Sequence, residues 1–215
     1  MVVEMLFPVL GQSLPTDHGY LLYSAASHLV PLLHDATSGI RMATVTGDYA
    51  GSGLLAINAY SRWRVRVPDT AIRDVLPLAG RALQIGEHSI RLGTPSVAML
   101  IPAATLYSRT VTFKSSQPRP LGRVIDDPTR FLEVARRKLA DLDITGEPTL
   151  PLITRGPRAG ELRRRVVRVK GKRIVGFALQ VEGLSAADSL KLQELGLGGR
   201  GRIGCGFFGP MRGEG

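Results

Sequence analysis

Six of the eleven residues from Gly196 to Gly206 are glycine, and this stretch constrains the chain more than any other. It reads Gly196-Leu197-Gly198-Gly199-Arg200-Gly201-Arg202-Ile203-Gly204-Cys205-Gly206. Each glycine costs conformational entropy on folding, so such a cluster needs a local reason. Either the backbone must turn through positive φ, or something must come close to the main-chain N–H groups. Two Gly-apolar-Gly triplets, centred on Leu197 and Cys205, bracket an insert carrying Arg200 and Arg202. Arginines among glycines favour the second reason, with a polyanion as the visitor. Leu197, Ile203, Cys205, Phe207 and Phe208 argue against a solvated tail, which has no use for apolar side chains.

Charge points the same way. The chain of 215 residues carries a formal +10, and all of it lies between residues 109 and 173, where 17 Lys and Arg face 7 Asp and Glu. From Arg155 to Arg173 there are nine basic residues and one acid, Glu161. A block this lopsided reads as a surface for a polyanion. No amphipathic helix accompanies it, so a membrane surface is the weaker reading. No apolar run approaches the roughly 18 residues of a membrane span, and Met1-Val2-Val3-Glu4 opens no signal peptide, so a cytoplasmic location is expected. The single Cys205 excludes an internal disulfide and a cysteine-based zinc site. Walker, dinucleotide and zinc motifs are missing, so no cofactor and no metal are expected.

Taken in order, Val2–Val9 reads as a strand, and Asp17 as the cap of a helix with a period through Tyr20, Leu21, Leu22, Ala25, Leu29 and Leu32/Leu33, which Pro31 kinks or ends near Val30. Ile40–Val45 and Leu54–Ile57 suggest a hairpin with a long tip. Arg62-Trp63-Arg64-Val65-Arg66-Val67 alternates strictly, placing three arginines on one sheet face and Trp63, Val65 and Val67 on the other. The arginine face reads equally as solvated or ligand-facing. Asp69–Leu78 suits a short helix, and Ala82–Ile85 with Ile90–Leu92 a second hairpin.

A second round begins at Ala103. Leu106–Phe113 is strand-like, and Asp127 caps a helix with Pro128 in its first position. Leu150–Thr154 reads as a short strand, Arg164–Lys170 and Lys172–Val181 as a tight hairpin, Ser185 and Asp188 as a capping box, and Ile203–Phe208 as a last strand. Each half then runs strand, helix, two strands, helix, strand. The expected fold is α+β: two tandem ferredoxin-like (RRM-like, βαββαβ) units, residues 1–102 and 103–215, with a C-terminal Gly-rich loop.

With this loop near the end of such units, the chain resembles the repeat-associated RNA-binding (RAMP) proteins of CRISPR systems. Within them it is most similar to a short variant of the sixth CRISPR-associated family, endoribonucleases that cut precursor CRISPR RNA inside its repeats. Leu6-Phe7-Pro8-Val9, Leu14-Pro15-Thr16-Asp17-His18-Gly19-Tyr20, Gly156-Pro157-Arg158-Ala159-Gly160, Val169-Lys170-Gly171 and Gly183-Leu184-Ser185 carry the likeness.

The resemblance implies metal-independent cleavage, in which the ribose 2′-OH attacks the adjacent phosphate to leave a 2′,3′-cyclic phosphate and a 5′-OH. Histidine suits the proton transfers. Of His18, His28, His34 and His88, the resemblance singles out His34, in Leu32-Leu33-His34-Asp35, with His18 as competitor and Tyr20 as helper. The family's frequent lysine has no counterpart near them, which leaves the stabilising cation to Lys114, Lys170 or a loop arginine, if the fold brings one close. Arg163, Arg164, Arg165, Arg168, Lys170, Lys172 and Arg173 form a ridge suited to a duplex RNA backbone. Gly196, Gly198, Gly199, Arg200, Gly201, Arg202, Gly204 and Gly206 are expected to meet the RNA near the cut. The implied partner is the repeat RNA, precursor and mature, with other CRISPR-associated proteins left open and neither DNA nor membrane expected. A non-catalytic repeat-binding subunit is the alternative, and a generic RRM-like binder a weaker third, because only 6% of residues are aromatic.

Overall fold

A computed structural model describes residues 1–114 and 125–211. Two units emerge: Met1–Leu100 together with Arg202–Gly204, and Ile101–Gly201 together with the chain from Cys205 onward. The tip of the Gly-rich loop therefore belongs with the first unit, although the rest of the loop belongs with the second.

The first unit contains β1 (Val2–Gly11), β2 (Ser13–Pro15), α1 (Gly19–Leu29), β3 (Arg41–Met42), β4 (Asp48–Gly51), β5 (Leu54–Ala56), β6 (Arg62–Pro68), α2 (Ile72–Val75), β7 (Ala82–Ile85), β8 (His88–Leu92) and β9 (Ser96–Met99). A 3-10 turn, Pro31–His34, follows α1. Its main antiparallel sheet runs β3-β6-β1-β8-β7, with β9 also paired to β1. Val3, Met5, Phe7 and Val9 alternate into the core from β1, and Trp63, Val65 and Val67 meet them from β6, all three fully buried.

The arginines on the other face of β6 are engaged within the protein. Arg64 donates to both Glu4 oxygens at 2.7 and 2.9 Å, Arg66 donates to Glu4 at 3.0 Å, and Arg62 donates to the carbonyls of Ala59 and Ser61. Arg66 is fully buried, and burial pulls its pKa down to about 10. A buried guanidinium needs this carboxylate, so the strand's arginines serve the structure.

The second unit contains β10 (Leu106–Val111), α3 (Pro128–Ala140), β11 (Glu147–Thr149), β12 (Arg164–Val169), β13 (Lys172–Glu182), α4 (Ala186–Leu195) and β14 (Phe208–Pro210). Its antiparallel sheet runs β11-β13-β10-β14, with β12 continuing along the edge of β13. Phe131, Ala135 and Leu139 of α3 pack with Leu106, Phe177, Leu179 and Val181 from the sheet. The caps are as the sequence indicates. Asp127 accepts from the Arg130 amide at 2.8 Å, and Ser185 accepts from the Asp188 amide at 3.1 Å.

Four expectations are corrected. His18, not Asp17, holds the N-cap position of α1. Leu54–Ala56 pairs with β2 and β4 in a separate three-stranded sheet, while Arg41–Met42 pairs with β6, so these segments form no hairpin together. The strand near Leu150 is Glu147–Thr149, with Leu152 bridging Leu162 beyond it. The last strand starts at Phe208, because Gly201–Ile203 winds into a 3-10 turn. For the sheet segments, a partner distant in sequence overrides local propensity. Among the described residues no helix is long and apolar enough to cross a membrane.

Candidate active site and nucleic-acid interface

The two competing histidines have opposite surroundings. His18 is fully buried; its Nδ1 donates to the Pro15 carbonyl at 2.6 Å, and its Nε2 accepts from the Val45 amide at 2.8 Å. Both ring nitrogens hold main-chain groups, so neither is open to a substrate proton. His34 closes the 3-10 turn and is exposed. Its Nδ1 is hydrogen-bonded to the Tyr23 hydroxyl at 2.8 Å, with the two rings edge-on and 5.6 Å apart. Nε2 carries none of these bonds. Tyr20, the tyrosine singled out from the sequence, is half-buried one turn earlier on α1; the structure brings Tyr23 to His34 instead. Pro31 explains this geometry, since it ends α1 and starts a turn that folds His34 back beside the helix.

A cation joins them from 168 residues away. Arg202 donates through Nη1 to the Leu33 carbonyl at 3.4 Å and to the His34 carbonyl. Its guanidinium carbon lies 5.6 Å from the centre of the Tyr23 ring, within cation–π range. It also helps hold the Asp35 carboxyl below its ordinary range, after the larger contributions of the Thr37 hydroxyl and amide. The segment reaches this place because Gly19, at the start of α1, has no side chain: a Cβ there would meet the Ile203 carbonyl oxygen at 2.2 Å. Sequence reasoning left the cation unassigned and named a loop arginine only as one option; no local signal distinguishes Arg202 from Arg200.

Five of the loop's amides are taken up within the fold. Gly196 N–H donates to Leu192, Leu197 N–H to Gly206, Gly199 N–H to Thr112, Cys205 N–H to Arg200 and Gly206 N–H to Thr110. Those five are not available to a polyanion. The glycine density has a packing cause, clearest at Gly206, where φ is +66° and a Cβ would approach the Leu197 oxygen to 2.1 Å. Gly198 and Gly204 are similarly tight, against Thr112 and Thr44, and Gly201 opens the 3-10 turn. Arg200, itself at φ +67°, donates to the Thr112 hydroxyl at 3.2 Å.

The basic ridge is real and outward. Arg164, Arg165, Arg168, Lys170, Lys172 and Arg173 are all exposed on the β12–β13 hairpin, whose turn is Lys170-Gly171. Arg168 and Arg173 are directly opposite across the strands. Arg163 is half-buried and donates to the Leu152 carbonyl at 3.1 Å, and Arg164 approaches Asp126 at 3.9 Å. Among the described residues no cluster of His, Cys, Asp and Glu could hold a metal ion.

Two solved structures share this fold. One is a RAMP protein described as binding different RNA substrates, 14% identical with a TM-score of 0.68 over 99% of this chain and 100% of that one. The other is the product of a Cas6-related gene from Pyrococcus furiosus, 12% identical with a TM-score of 0.68 over the whole of both chains. The fold is thus shared with these two proteins. The chain belongs to the Cas6 family of CRISPR-associated endonucleases: the family model, described as Cas6 Crispr, matches residues 3–213. The CRISPR-associated endonuclease Cas6 of Myxococcus xanthus (strain DK1622) is 38% identical over 214 residues, 97% of this chain and 81% of that protein.

Proposed function

We propose that this chain cuts precursor CRISPR RNA within its repeat by attack of a ribose 2′-OH on the neighbouring phosphate, with His34, Tyr23 and Arg202 at the cut. The observation that carries this reading is the convergence of an exposed histidine, its tyrosine partner and an arginine at one place, in a chain of an endonuclease family. With Nδ1–H donating to the Tyr23 oxygen, Nε2 is left as the base. It takes the 2′-OH proton, the 2′-oxygen–phosphorus bond forms, the bond from phosphorus to the 5′-oxygen breaks, and the leaving oxygen takes a proton from water. The remaining N–H groups of Arg202 face the charge that builds on the phosphorane oxygens. His18 is assigned a structural role.

The repeat RNA is held by its backbone along the β12–β13 ridge. Both units are read as variants of one ferredoxin-like plan: β9-β1-β6-β3 and β14-β10-β13-β11 follow the same order, with a helix after the first and third strands. The β7–β8 hairpin is then an insertion in the first unit.

Purified protein incubated with repeat RNA in EDTA tests the proposal. Products ending in a 2′,3′-cyclic phosphate, lost in His34→Ala with binding retained, support it. Tight binding with no product from the unaltered protein overturns it in favour of a non-catalytic repeat-binding subunit.

A further inference from the structure

The second unit carries two side chains, Tyr107 and Arg109, that neither the ridge nor the cut absorbs, and Arg165 at the edge of the ridge stands beside them. On β10, Leu106, Ser108 and Val111 are fully buried and a bulge lies between Ser108 and Val111, so Tyr107, and Arg109 with Thr110 in the bulge, lie on the sheet face opposite the core. Phe177, Leu179 and Val181 of β13 point into the core, so Gly176, Ala178 and Gln180 share the face of Tyr107 and Arg109. Register places Tyr107 opposite Gln180 and Arg165 opposite Gly176. Strands β10 and β12 flank β13, so they run about 10 Å apart. Between them, on this face, the middle strand offers Ala178 and Gly176, the latter covered by the methyls of Thr110 and Thr112. Arg109 and Arg165 are long enough to meet above these small groups on one small anion.

The charges there are unbalanced. Arg109 is half-buried, and no carboxylate pairs with it or with Arg165 among the described residues. Burial, and then the like charge of Arg165, bring the Arg109 pKa down to about 10, while Tyr107 works in the opposite direction. Arg165 also lines a cavity of about 580 Å³ with Arg155, Arg158, Arg163 and Arg164. Within that group Glu161 pairs with Arg158, and Asp126 lies 3.9 Å from Arg164. Two half-desolvated or crowded guanidiniums beside an aromatic ring, with no counter-charge of their own, match the chemistry that holds single-stranded nucleic acid.

We propose that Arg109 and Arg165 clamp one backbone phosphate of an unpaired RNA stretch, with Tyr107 lying against the adjoining base. This rests on the RNA-binding reading above and adds a contact for unpaired RNA that shares Arg165 with the duplex ridge. Unpaired RNA suits the place because a duplex hides its base faces, whereas a sheet face with one aromatic and flanking arginines serves splayed nucleotides.

The test uses His34→Ala protein, which prevents cleavage, and two fluorescein-labelled RNAs: a repeat stem-loop alone, and the same stem-loop with eight unpaired uridines on its 5′ side. A free uridine octamer serves as a third probe. The flank is expected to strengthen binding, and Arg109→Ala or Tyr107→Leu is expected to remove about five- to a hundredfold of affinity for the flanked RNA and the octamer. The stem-loop alone is expected to bind these variants unchanged. Arg109→Ala is also expected to lower the salt slope for the octamer by about 0.7, and Tyr107→Phe, which keeps the ring, to bind as the parent does. Equal affinity of parent and Arg109→Ala for the flanked RNA overturns the proposal. So does an equal loss on the stem-loop alone, which would mark a general defect; melting temperatures of both variants identify one that fails to fold. Cleavage of the stem-loop by unaltered protein reports separately on the parent reading.

Discussion

The hydroxyl of Tyr23 and Nδ1 of His34 lie 2.8 Å apart, at the junction where α1 gives way to a 3-10 turn. One bond fixes the ring of an exposed histidine through Nδ1 and does not engage Nε2. Tyr23→Phe removes that bond while keeping the ring. The expected result is a fall in the cleavage rate of about tenfold or more with RNA affinity unchanged. Tyr20→Phe, one turn away, is expected to cut normally. Single-turnover cleavage of the two variants side by side checks the choice between the tyrosines.

His18→Ala and His34→Ala are expected to fail differently. Loss of His34 abolishes cutting by about a hundredfold or more and leaves the fold intact. Loss of His18 orphans the Val45 amide and the Pro15 carbonyl inside the first unit, at a cost of about 2–4 kcal/mol. Thermal melting with RNA binding separates the cases: the first variant melts normally, the second melts low.

Arg202 holds two carbonyls and lies against Tyr23, so its charge and its geometry both matter. Arg202→Lys keeps the charge but loses the forked donor set. It is expected to cut more slowly than the parent and faster than Arg202→Ala, with repeat-RNA affinity changed much less than rate. Equal rates in all three would remove Arg202 from the reaction.

Gly206→Ala places a methyl about where the Leu197 carbonyl oxygen already is, at a backbone angle that disfavours a side chain. It is expected to cost about 3 kcal/mol or more, seen as a lowered melting temperature. Gly156→Ala, where the added carbon meets nothing within 4 Å, carries only the backbone penalty of its φ of +85°, about 1 kcal/mol.

Replacing Lys170, Lys172 and Arg173 together with alanine is expected to weaken repeat-RNA binding and to lower the log–log salt slope by about 2–3. Binding titrations at several salt concentrations provide the check.

The sequence by itself determined the local grammar of the chain. Asp127 with Pro128, and Ser185 with Asp188, cap the helices they announce because each cap is made within four residues. The alternation from Arg62 to Val67 fixed which side chains enter the core, and Lys170-Gly171 fixed a tight hairpin and the direction of its charges. The basic block was visible as composition, and its exposure followed from the cost of burying charge. What the glycines from Gly196 to Gly206 are for was decided only by tertiary structure. Their amides find acceptors at Thr110, Thr112 and Leu192, and their missing side chains admit backbone from elsewhere in the fold. Likewise, whether Tyr20 or Tyr23 meets His34, whether His18 is free, and which arginine reaches the site all depend on contacts formed across the fold. Hydrogen bonds and close approach are properties of neighbours in space, and spacing along the chain fixes those only where the chain itself is short and regular.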